Sequence, residues 1–318
     1  MTECDNDAFG PQVPVTCYAY DEGGRQNTVW NPDGTVTTTE YDGLGRVLLV
    51  TENDGGDLID LDGVRRTAHS YDQYGRLELM AAVDTMNNSG TVSSYASIDW
   101  EATDGTIQIT RFEYGADVLD KSGAKISEHN GWIKAVHYPD PDTGQPSTSP
   151  SLSFEYYSDG SVASREDEKG NRFVYHYDEQ GRLVQTDVTG SRWYASGANE
   201  RYDPPPPIKT ITYSYTPDGL PETVTAYDGE NATGNILSQS TFDYDTLRHL
   251  TKESQSHGGA VTTGTPAISY AWDMSPGDST FSGYDRLVGM TYPTRPETGA
   301  RSLGFSYVSE TGDIDSRL

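Results

Sequence analysis

Short runs of alternating apolar and polar residues, each ended by a turn signal, dominate this chain. In Phe173-Val174-Tyr175-His176-Tyr177 the alternation puts Phe173, Tyr175 and Tyr177 on one face and Val174 and His176 on the other. That period of two marks a half-buried strand. Asp178-Glu179-Gln180-Gly181 follows and reads as a type I turn. Its leading Asp accepts a backbone N–H two residues on, and Gly181 supplies the left-handed conformation that returns the chain through a bulge. Arg182-Leu183-Val184-Gln185-Thr186 is then the return strand, so the unit is one β-hairpin. This assignment gives Gly181, but not Gly170, a positive φ, and valine is expected to cost more at 181 than at 170.

The unit recurs. Its kernel, Tyr-Asp-x-x-Gly-Arg-aliphatic, stands at Tyr41-Asp42-Gly43-Leu44-Gly45-Arg46-Val47 and at Tyr71-Asp72-Gln73-Tyr74-Gly75-Arg76-Leu77. Tyr20-Asp21-Glu22-Gly23-Gly24-Arg25 is a fourth copy, and weaker ones begin at Tyr156, Tyr215, Tyr244, Tyr284 and Tyr307. The gap from Tyr71 to Tyr156 hides degenerate units, one near Phe112-Glu113-Tyr114. A period of about 20–50 residues means an array whose units bury their faces on their neighbours. One hairpin alone is marginal in water. The expected fold is therefore all-β: a train of antiparallel hairpins, with tyrosines stacking strand upon strand. The arginine after the turn glycine has three possible fates: over a neighbouring tyrosine ring, paired with a turn Asp, or solvated.

The repeat-bearing positions are Tyr41, Asp42, Gly45 and Arg46; Tyr71, Asp72, Gly75 and Arg76; and Tyr177, Asp178, Gly181 and Arg182. An N-terminal extension covers 1–17 and the ribbon 18–318. Loop insertions fall near 53–63, 84–91, 139–150, 203–207 (four prolines, stiff polyproline II) and 255–265. Two copies depart from the pattern. Arg248 holds the glycine position after Tyr244-Asp245, and Tyr284-Asp285-Arg286-Leu287 lacks the glycine, so both hairpins are expected to be distorted or differently connected.

Composition narrows the function. With 22 Lys+Arg against 49 Asp+Glu, the net charge of −27 argues against binding nucleic-acid phosphates. No apolar run approaches the roughly 18–20 residues of a membrane helix, and the acidic N-terminus carries no visible secretory signal. Hydrophobic content of 34% and high charge alone would point to disorder. The 22 tyrosines, with Val, Ile and Thr, point instead to strands.

The kernels at 41, 71 and 177 resemble Rhs (YD) repeats, found in bacterial polymorphic toxins, insecticidal toxin-complex shells and the teneurin barrel. Arg111-Phe112-Glu113-Tyr114-Gly115, with the stretch from Val136 to Pro146, also resembles large Rhs-type surface proteins of planctomycete-like bacteria. The resemblance covers most of the chain from about residue 18. It implies a curved ribbon, part of a hollow β-shell that encloses or displays a C-terminal toxin or passenger in a secreted or cell-surface parent. The implied partners are the remainder of that shell and its passenger. The family's core-associated Asp-Pro motifs, self-cleaving in some members, are missing. Asp140-Pro141 and Asp203-Pro204 lie in insertions without the surrounding pattern, so autoproteolysis is not carried over. The chain reads as a fragment of a longer shell.

Other chemistry is thinner. The sequence holds no Gly-x-Ser-x-Gly, His-Glu-x-x-His or phosphate-loop motif, and no enzyme or cofactor is expected. Asp57, Asp60 and Asp62 offer hard oxygen donors for a weak Ca²⁺ site, though the spacing matches no calcium loop and a solvated acidic insertion is favoured. Cys4 and Cys17 could bridge. Trp30, Trp100, Trp132, Trp193 and Trp272 with the tyrosines could form a glycan surface, which gives the alternative reading of an extracellular adhesion or carbohydrate-binding module. Burial is the commoner fate of strand aromatics. A glycosidase-like hydrolase, needing two carboxylates about 5–10 Å apart, ranks third.

Overall fold

The computed structural model describes residues 15–52, 64–84, 86, 87, 90–92, 94–190, 208–273, 286–294, 299 and 301–305. The chain divides into two compact units, Met1–Glu168 and Lys169–Leu318. No α-helix occurs among the described residues.

The first unit holds β1 (Cys17–Tyr20), β2 (Gln26–Trp30), β3 (Val36–Tyr41), β4 (Val47–Glu52), β5 (Arg65–Tyr71), β6 (Leu77–Val83), β7 (Met86–Asn87), β8 (Gly90–Thr91), β9 (Ile107–Leu119), β10 (Lys125–His137), β11 (Leu152–Tyr157) and β12 (Val162–Asp167). β1 to β6 form an antiparallel meander that continues through β9, β10, β11 and β12. β7 and β8 make a separate two-stranded hairpin. The long β9–β10 hairpin skips register between His129 and Ile133. The far end of β9 also pairs in parallel with β11, through Tyr156↔Val118 and Tyr157↔Leu119.

The second unit holds β13 (Arg172–Tyr177), β14 (Leu183–Thr189), β15 (Thr210–Tyr215), β16 (Pro221–Tyr227), β17 (Ile236–Tyr244), β18 (Leu250–Ser256), β19 (Ala267–Asp273), β20 (Arg286–Thr291) and β21 (Ser302–Gly304). Each pairs antiparallel with the next. The all-β train of hairpins is therefore the observed fold.

A meander sends alternate connections to opposite edges. In the first unit the turns 21–25, 42–46, 72–76, 120–124 and 158–161 leave from one edge, and 31–35, 53–64, 84–106 and 138–151 from the other. In the second unit 178–182, 216–220 and 245–249 share one edge, and 190–209, 228–235 and 257–266 the other. Every insertion seen in the sequence thus joins strands on the edge away from the Tyr-Asp turns.

The insertions also supply core. Leu49, Ala68, Ala81, Val83, Ile107 and Ile109 of the sheet are buried under Val92 and Ile98, with Tyr95, Trp100 and Ala102 packed around them. Ala68 and Ala81 are fully buried, and their small side chains let the cover approach. The Gln145 amide donates to the carbonyls of Trp100 (3.1 Å) and Ala102 (2.6 Å), and the Ile109 N–H donates to Gly144 at 2.8 Å. In this way the connection 138–151 is bolted to the cover. In the second unit hydroxyls share the interior. Buried Thr210 donates to Asp187 (3.0 Å), and buried Thr225 accepts from Gln239 (2.9 Å).

Candidate functional site: an arginine–aromatic ladder between hairpins

The Asp42 turn shows the local chemistry. The Gly45 N–H donates to the Asp42 carbonyl (3.0 Å), and the Asp42 N–H to the Arg46 carbonyl (2.9 Å). One Asp42 carboxylate oxygen accepts the N–H groups of Leu44 and Arg46 at 2.9 Å; the other lies 2.6 Å from the Arg46 guanidinium. The Arg46 backbone N–H above all, and then its guanidinium, hold the Asp42 carboxyl below the usual carboxylate range. The same bonds form between Asp21 and Arg25, Asp72 and Arg76, and Asp178 and Arg182. Gly45 (φ +85°), Gly75 (+81°) and Gly181 (+77°) are left-handed as expected. Gly170, at +75°, is left-handed too, so the expected contrast between 170 and 181 does not exist. It lies in the short connection 168–171 just before β13, whose glycine carries no Tyr-Asp signature.

The arginine is not solvated, and it meets two of its possible partners at once. Its edge holds the turn Asp of its own hairpin while its face covers the tyrosine of the next. Arg25 lies 4.8 Å from the centre of the Tyr41 ring, Arg46 4.4 Å from Tyr71, Arg76 4.3 Å from Tyr114 and Arg182 4.7 Å from Tyr215. A planar guanidinium is suited to this double use. The ladder tyrosines consequently stack on arginine, not strand upon strand on each other as the sequence suggested. Each ring also ends in a hydroxyl that needs an acceptor. Tyr41 donates to Gln26 (2.8 Å), Tyr71 to Val47 (2.9 Å), Tyr114 to Leu77 (2.9 Å) and Tyr215 to Leu183 (2.8 Å). The acceptor is always the carbonyl of the residue following the arginine.

Two further rungs keep this geometry with other residues. Trp132 packs against Tyr156, ring centres 5.1 Å apart, and Tyr156 donates to Ile133 at 3.0 Å. His249 stacks on Trp272 at 4.6 Å and 18°, and the Trp272 indole N–H donates to Leu250 at 2.8 Å. His249 also meets Asp245 through its ring (2.9 Å) and its N–H (2.9 Å), as an arginine would. The Tyr244-Asp245 hairpin is therefore not distorted: Arg248 adopts φ +74° in the glycine position. The degenerate unit near Tyr114 is likewise a full rung. Sequence reasoning missed Trp132, His249 and Trp272. Position was the signal for His249 and Trp272, which sit where the kernel spacing puts the arginine and the aromatic; Trp132, inside β10 and well past the 120–124 turn, carried no such signal.

Register between laterally paired hairpins is invariant. The residue three after the arginine position faces the residue three before the aromatic: Thr28↔Thr38, Leu49↔Ala68, Leu79↔Arg111, Ala135↔Ser153, Gln185↔Thr212 and Lys252↔Ser269. Thr223↔Thr241 obeys it too, with Leu220 in the arginine position. Loop length normally sets hairpin register. Here the connections between these pairs run from five residues (31–35) to twenty-three (84–106) without changing it, so loop length does not set it; a rung spans the first six of these junctions, and the Leu220 junction keeps the register without one.

The remaining expectations fall elsewhere. Asp57, Asp60 and Asp62, the prolines 204–207, Trp193 and the Tyr284–Leu287 turn up to residue 285 lie outside the described residues. Cys17 is disulfide-bonded, and Cys4 lies outside the described residues. Trp100 packs on the buried cluster, edge-on to Tyr95 at 6.0 Å. Trp30 is half-buried. Among the histidines, buried His137 donates to the Ser147 carbonyl (2.8 Å) and lies 3.1 Å from Glu113, fastening the connection 138–151 to β9. His176 meets Asp187 at 2.8 Å.

No family model and no curated protein matches the chain. Solved structures of Tc toxin proteins are similar to it. A TcdB2-TccC3-TEV crystal structure matches 91% of this chain and 15% of its own, at 14% identity and a TM-score of 0.40. A Tc holotoxin pore from Photorhabdus luminescens matches the same shares at 14% identity and 0.39. The chain thus spans about one-seventh of the length of those it matches.

Proposed function

We propose that this chain is a non-enzymatic wall segment of Rhs type, one stretch of a shell that encloses or displays a passenger polypeptide in a secreted or cell-surface parent. The division of labour within each unit supports this reading. One edge carries the repeated turns and the rungs that tie neighbouring hairpins together; the other carries connections of widely different length that leave register untouched. The recurring side chains are thereby committed to joining strands, which is what a wall requires. The excess of carboxylates keeps a large β assembly soluble and its edges from pairing at random. Protease protection tests containment. A reporter domain joined after Leu318 should be digested more slowly than the same reporter joined to the Arg46→Ala/Arg182→Ala chain. Equal rates would contradict containment.

A glycan-binding surface is the second reading. Tyr74 (74% exposed) and Tyr138 (48%) give it a specific footing. Glycan-array binding lost in Tyr74→Ala would favour it.

A further inference from the structure

The ladder opens on half a rung. Among the described strands β1 has one partner, β2, paired from Cys17↔Trp30 to Tyr20↔Gln26. Its outer edge carries Tyr20, the aromatic of the kernel that ends in Arg25. In the four arginine rungs the tyrosine is covered and its hydroxyl donates. Tyr20 is 60% exposed and its neighbour Tyr18 53%; among the described residues neither a cation nor a ring covers Tyr20, and its hydroxyl has no acceptor. The missing cation is not one of the chain's described turn arginines either. Arg25, Arg46, Arg76 and Arg182 each cover a tyrosine of their own.

We infer that the β1 edge is a docking surface for a further hairpin of Asp-x-x-Gly-Arg chemistry, the adjoining stretch of the wall. This rests on the wall reading and names the partner that reading requires at this edge. The occupant follows from continuity: the same half-rung is filled by an arginine four times in the chain, twice (Tyr41 and Tyr71) at the same position before a Tyr-Asp turn. The register rule fixes the pose. The incoming arginine lies over Tyr20, the carbonyl after it accepts the Tyr20 hydroxyl, and the residue three further on than the arginine faces Cys17. Glu22 beside the site, in a chain of net charge −27, favours a cationic group there.

The test uses the full chain and a fluorescein-labelled, backbone-cyclised peptide of residues 172–189, a hairpin carrying Arg182. Cyclisation is needed because a lone hairpin is marginal in water. Fluorescence anisotropy should show saturable binding. Affinity should fall by about tenfold or more for the Arg182→Ala peptide, and likewise for the Tyr20→Ala chain, because each removes a stack and a bond or its geometry. Tyr20 lies on an exposed edge, so its loss should leave the circular dichroism spectrum unchanged. No saturable binding, or binding indifferent to both substitutions, overturns the inference. Tyr20-dependent self-association of the chain in sedimentation would overturn it in favour of a second copy as occupant. If the peptide does not bind while the internal rungs prove energetically coupled, the docking edge alone falls and the wall reading stands.

Discussion

Replacing Arg46 tests what a rung is made of. The guanidinium lies 4.4 Å from the Tyr71 ring centre, 31% of the side chain is exposed, and one edge is 2.6 Å from Asp42. A cation over an aromatic in such a partly desolvated site is worth about 0.5–2 kcal/mol. Arg46→Ala removes that and uncovers the ring, so a loss of about 1–2 kcal/mol is expected, or roughly 2–8 °C in Tm for units of this size. Arg46→Trp should lose less, because Trp132 already covers Tyr156 in the equivalent place. Arg46→Lys should fall between them, keeping charge without the flat face. Urea unfolding followed by circular dichroism, compared at unchanged m, measures all three. The reasoning is refuted if Arg46→Ala stays within the roughly 0.5 kcal/mol of an ordinary surface change, or if tryptophan is as damaging as alanine.

Further outcomes follow from the same geometry. Gly181→Ala should cost about 1–2 kcal/mol, for the left-handed backbone alone, since nothing lies near the added Cβ. Gly144→Ala should cost clearly more, because its Cβ would stand 1.9 Å from the Ile107 carbonyl oxygen; equal losses in thermal melts would contradict this. Arg248→Gly should stabilise by up to about 1 kcal/mol, by relieving a non-glycine residue at φ +74°, and a lowered Tm would oppose it. Stability should show a plateau in pH. Asp21 and Asp42 titrate below their unfolded values, chiefly through backbone N–H donors, so their contribution is present above about pH 4 and is lost as pH falls through the depressed values. On the alkaline side burial raises Tyr71 and Tyr114, and pushes Tyr270, bonded to Glu253, up to about 12. Their contribution is complete below about pH 10 and lost as pH rises through the folded values. A Tm that rises as pH falls below about 4 would contradict the first sign, and one that rises above about pH 10 the second.

What was legible in the sequence was what is local. The alternation of 173–177, the Asp178 turn and the left-handed Gly181 are each fixed within a dozen residues, and the hairpins followed from them. The partner of each arginine was not legible, because it belongs to the next hairpin across connections of five to twenty-three residues. The alternation shows which face a tyrosine takes, but not which strand lies beside it. Trp132 and His249 were hidden for a related reason. The rung needs a flat group in register, and residue identity is only one way to provide it. Gly170 was misjudged because a left-handed glycine in a short connection needs no neighbouring motif.

The most direct test of the central claim is a double-mutant cycle on one rung of the second unit, Arg182→Ala and Tyr215→Leu, with unfolding free energies measured for the four proteins. Arg182 lies 4.7 Å from the Tyr215 ring centre across the pair Gln185↔Thr212. The account predicts a coupling of about 0.5–2 kcal/mol, with the double variant little worse than the more damaging single one. Losses that add to within about 0.3 kcal/mol would show that the two side chains are neighbours without being a rung.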